Sequence, residues 1–248
     1  MPQHIPIQVC EDEQAILDAL FSPEQSGEQQ DELRLLGFSG GSIVQVFAEY
    51  RERMIEAAQA GGWRIFLVDE RQVPVEDPDS NCGQFMRKVF REAGIFHLHS
   101  IRSDLDLDQC AADYERRFAQ ACLDTERDRF DLVVMGIGPD GHCASLFPNH
   151  DSGRFAIQSK DQAGASAVVP DAGGIVIPVR NAPKPPPNRI SFSGPALAAA
   201  KRIRFLVRGE AKRDLIEMLR SDPEAYPAGR LLCKHPDAKI LADPAAAS

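Results

Sequence analysis

The residues best suited to chemistry lie in one Gly-rich string, Gly136-Ile137-Gly138-Pro139-Asp140-Gly141-His142. A histidine in such a turn, two residues after an aspartate, is placed to take a proton from water near neutral pH. The plain alternative is a structural or surface histidine. The glycines around His142 and the apolar run Phe130–Gly136 that leads into it favour catalysis.

Three other clusters carry anion-binding or acid–base chemistry. Phe38-Ser39-Gly40-Gly41-Ser42 reads as a strand-to-helix turn where glycines let the backbone approach a ligand and helix N–H groups face an anion. It reads equally as a tight turn with Ser42 as a simple cap. Val68-Asp69-Glu70-Arg71 is either the solvated end of a strand or a functional set. In the second reading Arg71 clamps a phosphate, and Asp69 contacts sugar hydroxyls or orients a base. In Asn181–Arg189 the prolines act as a spacer or a recognition ligand, or they hold Lys184 rigidly where it meets an anion.

The elements that must position these clusters alternate along the chain. Strands are predicted at Ile5–Val9, Leu33–Phe38, Trp63–Val68, Phe130–Gly136, Phe155–Gln158, Ala167–Val169, Ile175–Val179, Arg189–Phe192 and Ile203–Val207. Helices are predicted over Glu11–Phe21, Ser42–Ala60, Ser80–Ala93, Gln109–Cys122, Pro195–Ala200 and Glu210–Arg220, with a frayed tail from Asp243. Short apolar runs interleaved with helical periodicity predict an α/β fold with a mostly parallel sheet and helices on both faces. In such sheets ligands sit beyond the carboxyl ends of the strands, where these clusters fall. No repeat or long linker divides residues 1–248, so a single domain is expected.

Composition narrows the partners. A net charge of -9 and a pI near 5.2 argue against nucleic acid or an anionic membrane surface as a partner. Six scattered cysteines, without a CxxC pair or metal-ligand spacing, read as free thiols of a reducing cytoplasm. No basic or apolar leader opens the sequence, and no run approaches the length of a membrane span.

Taken in order, the segments FSGGS, VDERQVPVEDPDSNCG, DLVVMGIGPDGHCASLFPNH, KPPPNRISFS and PALAAAKRIRFLVRGEAK closely resemble the 6-phosphogluconolactonase family. The resemblance extends from Leu33 to about Arg213. It implies a Rossmann-like fold related to glucosamine-6-phosphate deaminase, and hydrolysis of a phosphorylated sugar lactone in the pentose phosphate pathway. Carried over by position, it implies His142 as general base and Asp69 and Asp140 as acidic residues of the site. It further implies Arg71 and Lys184 as phosphate-binding cations, with Gly40, Gly41 and Ser42 in the phosphate-side loop. Arg189, at the end of the Lys-Pro-Pro segment, joins the expected phosphate-binding set. Neither a metal nor a cofactor is expected, because a lactone is an activated ester that a positioned water and a base can open. A monomer or weak dimer acting on the small sugar phosphate is the expected assembly.

This chain departs from the pattern at Ile43-Val44, where many relatives have Thr-Pro, and at Cys82 and Cys143, where Tyr and Thr are common. Two rival functions remain. A glucosamine-6-phosphate deaminase usually carries Asp-Glu-Tyr where this chain has Asp69-Glu70-Arg71, and an acidic residue after the histidine where this chain reads CASLFP. A non-catalytic sugar-phosphate sensor normally has a DNA-binding module, for which no segment or basic patch is spare.

Overall fold

Side-chain alternation along the strands determines the layering. In the computed structural model, which describes residues 5–21, 34–90, 97–154 and 174–247, Leu132 and Val134 enter one hydrophobic cluster while Val133 and Met135 enter another. Ile65 and Leu67 divide from Phe66 and Val68 in the same way. The two strands that carry these residues therefore bury both faces, and each face needs its own cover of helices.

In chain order the elements are β1 (Ile7–Val9), α1 (Glu13–Phe21), β2 (Leu35–Phe38), α2 (Ser42–Glu49), α3 (Arg51–Gly61), β3 (Arg64–Leu67), β4 (Asp69–Arg71), α4 (Asn81–Lys88), β5 (Leu98–His99) and α5 (Leu107–Thr125). They continue with β6 (Leu132–Met135), α6 (Asp151–Arg154), β7 (Val176–Val179), β8 (Arg189–Phe192), α7 (Gly194–Ala198), β9 (Arg202–Val207), α8 (Arg213–Ser221), α9 (Pro227–Lys234), β10 (Ala238–Ala242) and α10 (Pro244–Ala247). Seven strands form a parallel sheet in the order β1-β10-β9-β6-β2-β3-β5. Helices α1 to α4 contribute to the cluster on one face, and α5, α8 and α9 to that on the other. The α/β architecture is as the sequence predicts.

From β2 the chain runs outward to β3 and β5, then returns to the other side of β2 as β6 and continues to β9 and β10. The strand order thus reverses between β2 and β6, which makes the gap beyond their carboxyl ends the natural ligand crevice. Gly37 lets β2 pass close to its neighbour, since a Cβ there would meet Val68 Cγ1 at 2.8 Å.

A second, antiparallel sheet, β4-β8-β7, was not anticipated. The chain leaves the parallel sheet at Val68, whose N–H still donates to Phe38 O, while Val68 O accepts from Phe192 N of the new sheet. Tyr114 Oη takes the Leu67 N–H at 2.8 Å, so the exit leaves no orphaned donor. Asp69-Glu70-Arg71 is consequently a strand and not a solvated strand end, with Asp69 and Glu70 buried.

Other boundaries differ from expectation. The helix predicted over Ser42–Ala60 is two helices, because Tyr50 leaves helical geometry (φ -109°, ψ 25°) and tucks its ring into the core. The tail is not frayed at Asp243: its carboxylate accepts from Gly209 N and Ala246 N, and α10 buries Ala246. Strand β10 and helix α9 were missed, although β10 lies between β1 and β9. The strands predicted at Phe155–Gln158 and Ala167–Val169 lie outside the described residues.

Candidate active site

The turn after β6 places the histidine. Gly138 N–H donates to His142 O at 2.9 Å and Gly141 N–H to Gly138 O at 2.9 Å, closing a compact loop. Two glycines are obligatory here. A Cβ on Gly138 would overlap the His142 ring and stand 2.8 Å from Asp140 Oδ1. Gly141 has φ +75°, and a Cβ there would meet Tyr226 Cδ1 at 2.5 Å.

His142 Nδ1 forms a very short contact with Asp140 Oδ1. With the Nδ1 proton donated to that carboxylate, Nε2 carries the lone pair. The ring packs on Phe147 at 4.8 Å between centroids. Burial is the main influence that pulls the His142 pKa below its ordinary value; Asp140 opposes it, and Lys184 adds to the lowering. Burial also works against the charge on Asp140. The His142 hydrogen bond and the cations outweigh it, leaving the Asp140 carboxyl below its usual range.

Lys184 arrives from the β7–β8 connection. Its Nζ lies 3.4 Å from Asp140 Oδ1 and 3.4 Å from His142 Nδ1. Since Nδ1 holds a proton, the carboxylate is the partner of the ammonium. The proline-rich loop is held from within: Ala182 N–H donates to Pro187 O, and Arg189 donates to the carbonyls of Lys184, Pro185 and Pro186 at 2.8, 3.1 and 3.0 Å. Arg189, expected among the phosphate-binding cations, is thus 4% exposed and occupied by the loop that carries Lys184.

Arg189 also reaches Ser145 Oγ at 3.4 Å, and Ser145 Oγ donates to Asp69 Oδ2 at 2.7 Å. Asp69 therefore joins β4 to the segment after His142, and its charge is felt by the imidazole. Arg71 sits across from Arg189 in the β4–β8 register and donates to Asp79 O at 2.7 Å. Its Nε is buried without a partner among the described residues.

The Ser39–Ser42 turn lies beside the loop that carries His142. Gly136 N–H donates to Ser39 Oγ at 3.3 Å, and a Cβ on Gly136 would be 3.3 Å from Ser42 Oγ. Gly40 is pressed against the Asn81 amide, leaving no room for a Cβ, and Gly41 adopts φ +66° at the start of α2. Ser42 does not cap α2; Gly41 occupies the cap position and offers no side chain. The α2 N-terminal amides thus open toward the switch point between β2 and β6.

Three site residues were missed in the sequence: Ser145, Asn81 and Lys212. Asn81 donates to Asp69 O at 3.0 Å, and its Oδ1 is buried without a partner among the described residues. Lys212 donates to Ile137 O at 2.8 Å. Lys212 had a legible signal, because Gly209-Glu210-Ala211-Lys212 leaves the carboxyl end of β9 as the other clusters leave theirs.

The family model for glucosamine-6-phosphate isomerases/6-phosphogluconolactonase matches residues 14–240. The chain belongs to that family. A probable 6-phosphogluconolactonase of Drosophila melanogaster is 33% identical over 220 residues, covering 87% of this chain and 81% of that protein. The 6-phosphogluconolactonase of Bos taurus is 33% identical over 77% of this chain and 70% of its own length. Among solved structures, a 6-phosphogluconolactonase from Shewanella baltica OS155 superposes with a TM-score of 0.74 over 98% of this chain and 99% of that one, at 19% identity. That likeness speaks for the family fold; the lactonase branch is marked by the relatives in sequence.

Proposed function

We propose that the chain hydrolyses 6-phospho-D-glucono-1,5-lactone to 6-phospho-D-gluconate, with His142 as general base. The observation that carries this reading is the Asp140–His142 pair with Lys184 beside it. A lactone carbonyl needs no covalent nucleophile. His142 Nε2 accepts a proton from the water that attacks C1, and the imidazolium returns it to the ring oxygen as the tetrahedral intermediate collapses.

Asp140 fixes the tautomer and stabilises the imidazolium. Lys184 and Arg71 supply the cations for the substrate's anionic groups, and the amides of Gly41 and Ser42 add anion-binding N–H groups. Binding energy at the remote phosphate is thereby converted into orientation at C1. Arg189 acts through the loop it holds, and Asp69 through Ser145. Every group in this account comes from one chain, so a monomer or weak dimer suffices. The six cysteines, all free thiols, suit a cytoplasmic enzyme.

The family model also covers isomerases. The test is therefore comparative: purified protein is given freshly made 6-phosphogluconolactone, with acid release corrected for spontaneous hydrolysis, and separately glucosamine 6-phosphate, with ammonia release followed. Rapid acid release without ammonia is expected. Ammonia release with no acceleration of lactone opening would overturn the reading.

A further inference from the structure

Helix α9, which the sequence did not announce, begins against the turn that carries His142. Tyr226, the residue before the helix, is half-buried and extended (φ -118°, ψ 138°), and Pro227 opens the first turn. Pro227 has no N–H to offer, so Ala228 is the first donor of α9, and its N–H reaches Gly141 O at 3.2 Å. The peptide that carries this carbonyl leads directly into His142. A peptide is planar, so fixing one of its polar groups fixes the plane from which the histidine departs.

The ring of Tyr226 makes a second contact with the same glycine. Gly141 is buried at φ +75°, and a Cβ there would stand 2.5 Å from Tyr226 Cδ1 and 2.7 Å from its Cβ and Cγ. Asp140 and His142 leave the chain on either side of Gly141 and meet again through the Oδ1–Nδ1 contact. Rotation at this glycine, the freest residue between them, therefore decides whether the two side chains meet.

Tyr226 is itself held from behind. Its N–H donates to Pro223 O at 3.3 Å, and Gly229 lets α9 close on the same residue, since a Cβ there would meet Pro223 O at 2.2 Å. Arg230 Nε donates to Glu224 O at 2.6 Å, and the tyrosine packs on the core cluster that α5, α8 and α9 share.

We propose that Tyr226 is a positioning residue for the general base: with the Ala228 amide, its ring clamps Gly141 so that Asp140 and His142 meet in one geometry and the imidazole keeps its Nδ1–H tautomer. The proposal deepens the lactonase reading and rests on it.

Two variants separate the ring from the hydroxyl. Tyr226→Ala removes both, and Tyr226→Phe keeps the ring. The readouts are kcat and KM on freshly prepared lactone, and the tautomer of His142 by ring-nitrogen NMR at a pH where the imidazole is neutral. Tyr226→Ala is expected to lower kcat on the order of tenfold with KM changed by less than about threefold, as displacement of a base would. It is also expected to admit the Nε2–H tautomer, because the carboxylate no longer selects the other one. A loss of stability alone would leave the tautomer of the folded protein unchanged. Tyr226→Phe should match the wild type in both readouts.

Wild-type kcat or an unchanged tautomer in Tyr226→Ala would overturn the proposal, and so would an equal fall in Tyr226→Phe, which would assign the effect to the hydroxyl. If Tyr226→Ala does not give a native circular-dichroism spectrum, Tyr226→Val, which keeps apolar bulk without a Cδ atom over Gly141, is judged by the same two readouts. An inactive wild-type protein would sink the lactonase reading instead, and the tautomer would still decide whether Tyr226 orders His142.

Discussion

The properties of His142 follow from its immediate neighbours. Its ring is mostly enclosed, so the charged form is disfavoured, and Lys184 adds to that effect more closely than any distant charge. Asp140 works in the opposite direction without reversing the balance. The ring is therefore neutral at pH 7 and competent as a base. As pH falls through its depressed pKa the imidazole is protonated and kcat/KM is lost. The acid limb of the kcat/KM profile is expected below about 6.5, the ordinary histidine value. A limb at or above that value would contradict the assigned surroundings. Gly138 gives a steric prediction. Gly138→Ala puts a methyl group into the ring of His142 and against Asp140, and is expected to lower kcat on the order of 10²-fold. Steady-state kinetics of that variant, with its melting temperature measured alongside, checks the point.

Among the elements, the short strand β4 and the start of α4 depend on one carboxylate. Glu70 accepts from the N–H groups of Arg71 at 2.7 Å, Asn81 at 2.8 Å and Cys82 at 2.7 Å, and from Ser80 Oγ at 3.3 Å. Burial pushes its carboxyl up to about 7, against the pull of those three amides. Ser80 caps the same helix by accepting from Gly83 N–H at 3.0 Å. Glu70→Ala leaves three buried N–H groups without acceptors and is expected to cost at least ~3 kcal/mol of stability by denaturant titration. Glu70→Gln retains one acceptor oxygen and should cost less. A stability change below about 1 kcal/mol in Glu70→Ala would show that water replaces the carboxylate. This is also the scale at which the sequence was least legible. Apolar runs such as Leu132–Met135 stood out, because a strand buried on both faces is continuously apolar. Asp69-Glu70-Arg71 did not, since its burial depends on pairing with Ser191, Ile190 and Arg189, more than a hundred residues later. Ala238–Ala242 was hidden by its lysine and alanines, which a strand between two others tolerates. Arg189 looked like a free cation in sequence; only the fold reveals that its guanidinium is committed to the carbonyls of its own loop.

Across the whole molecule, the reversal of strand order gathers the chemistry. The Ser39–Ser42 turn leaves β2, the His142 turn leaves β6, and Lys212 follows β9, all at carboxyl ends of adjacent parallel strands. The small antiparallel sheet brings Asp69, Arg71 and the Lys184 loop to the same edge from chain segments far apart in sequence. The motifs were legible because each needs its own residue types locally, whereas their meeting is a property of topology. The central claim is that a neutral imidazole, oriented by Asp140, removes the proton from water. It is tested most directly by the kcat of His142→Gln on freshly prepared 6-phosphogluconolactone, with the spontaneous rate subtracted. A fall of about 10²-fold or more with KM little changed is predicted. Turnover close to that of the wild-type chain would contradict the account.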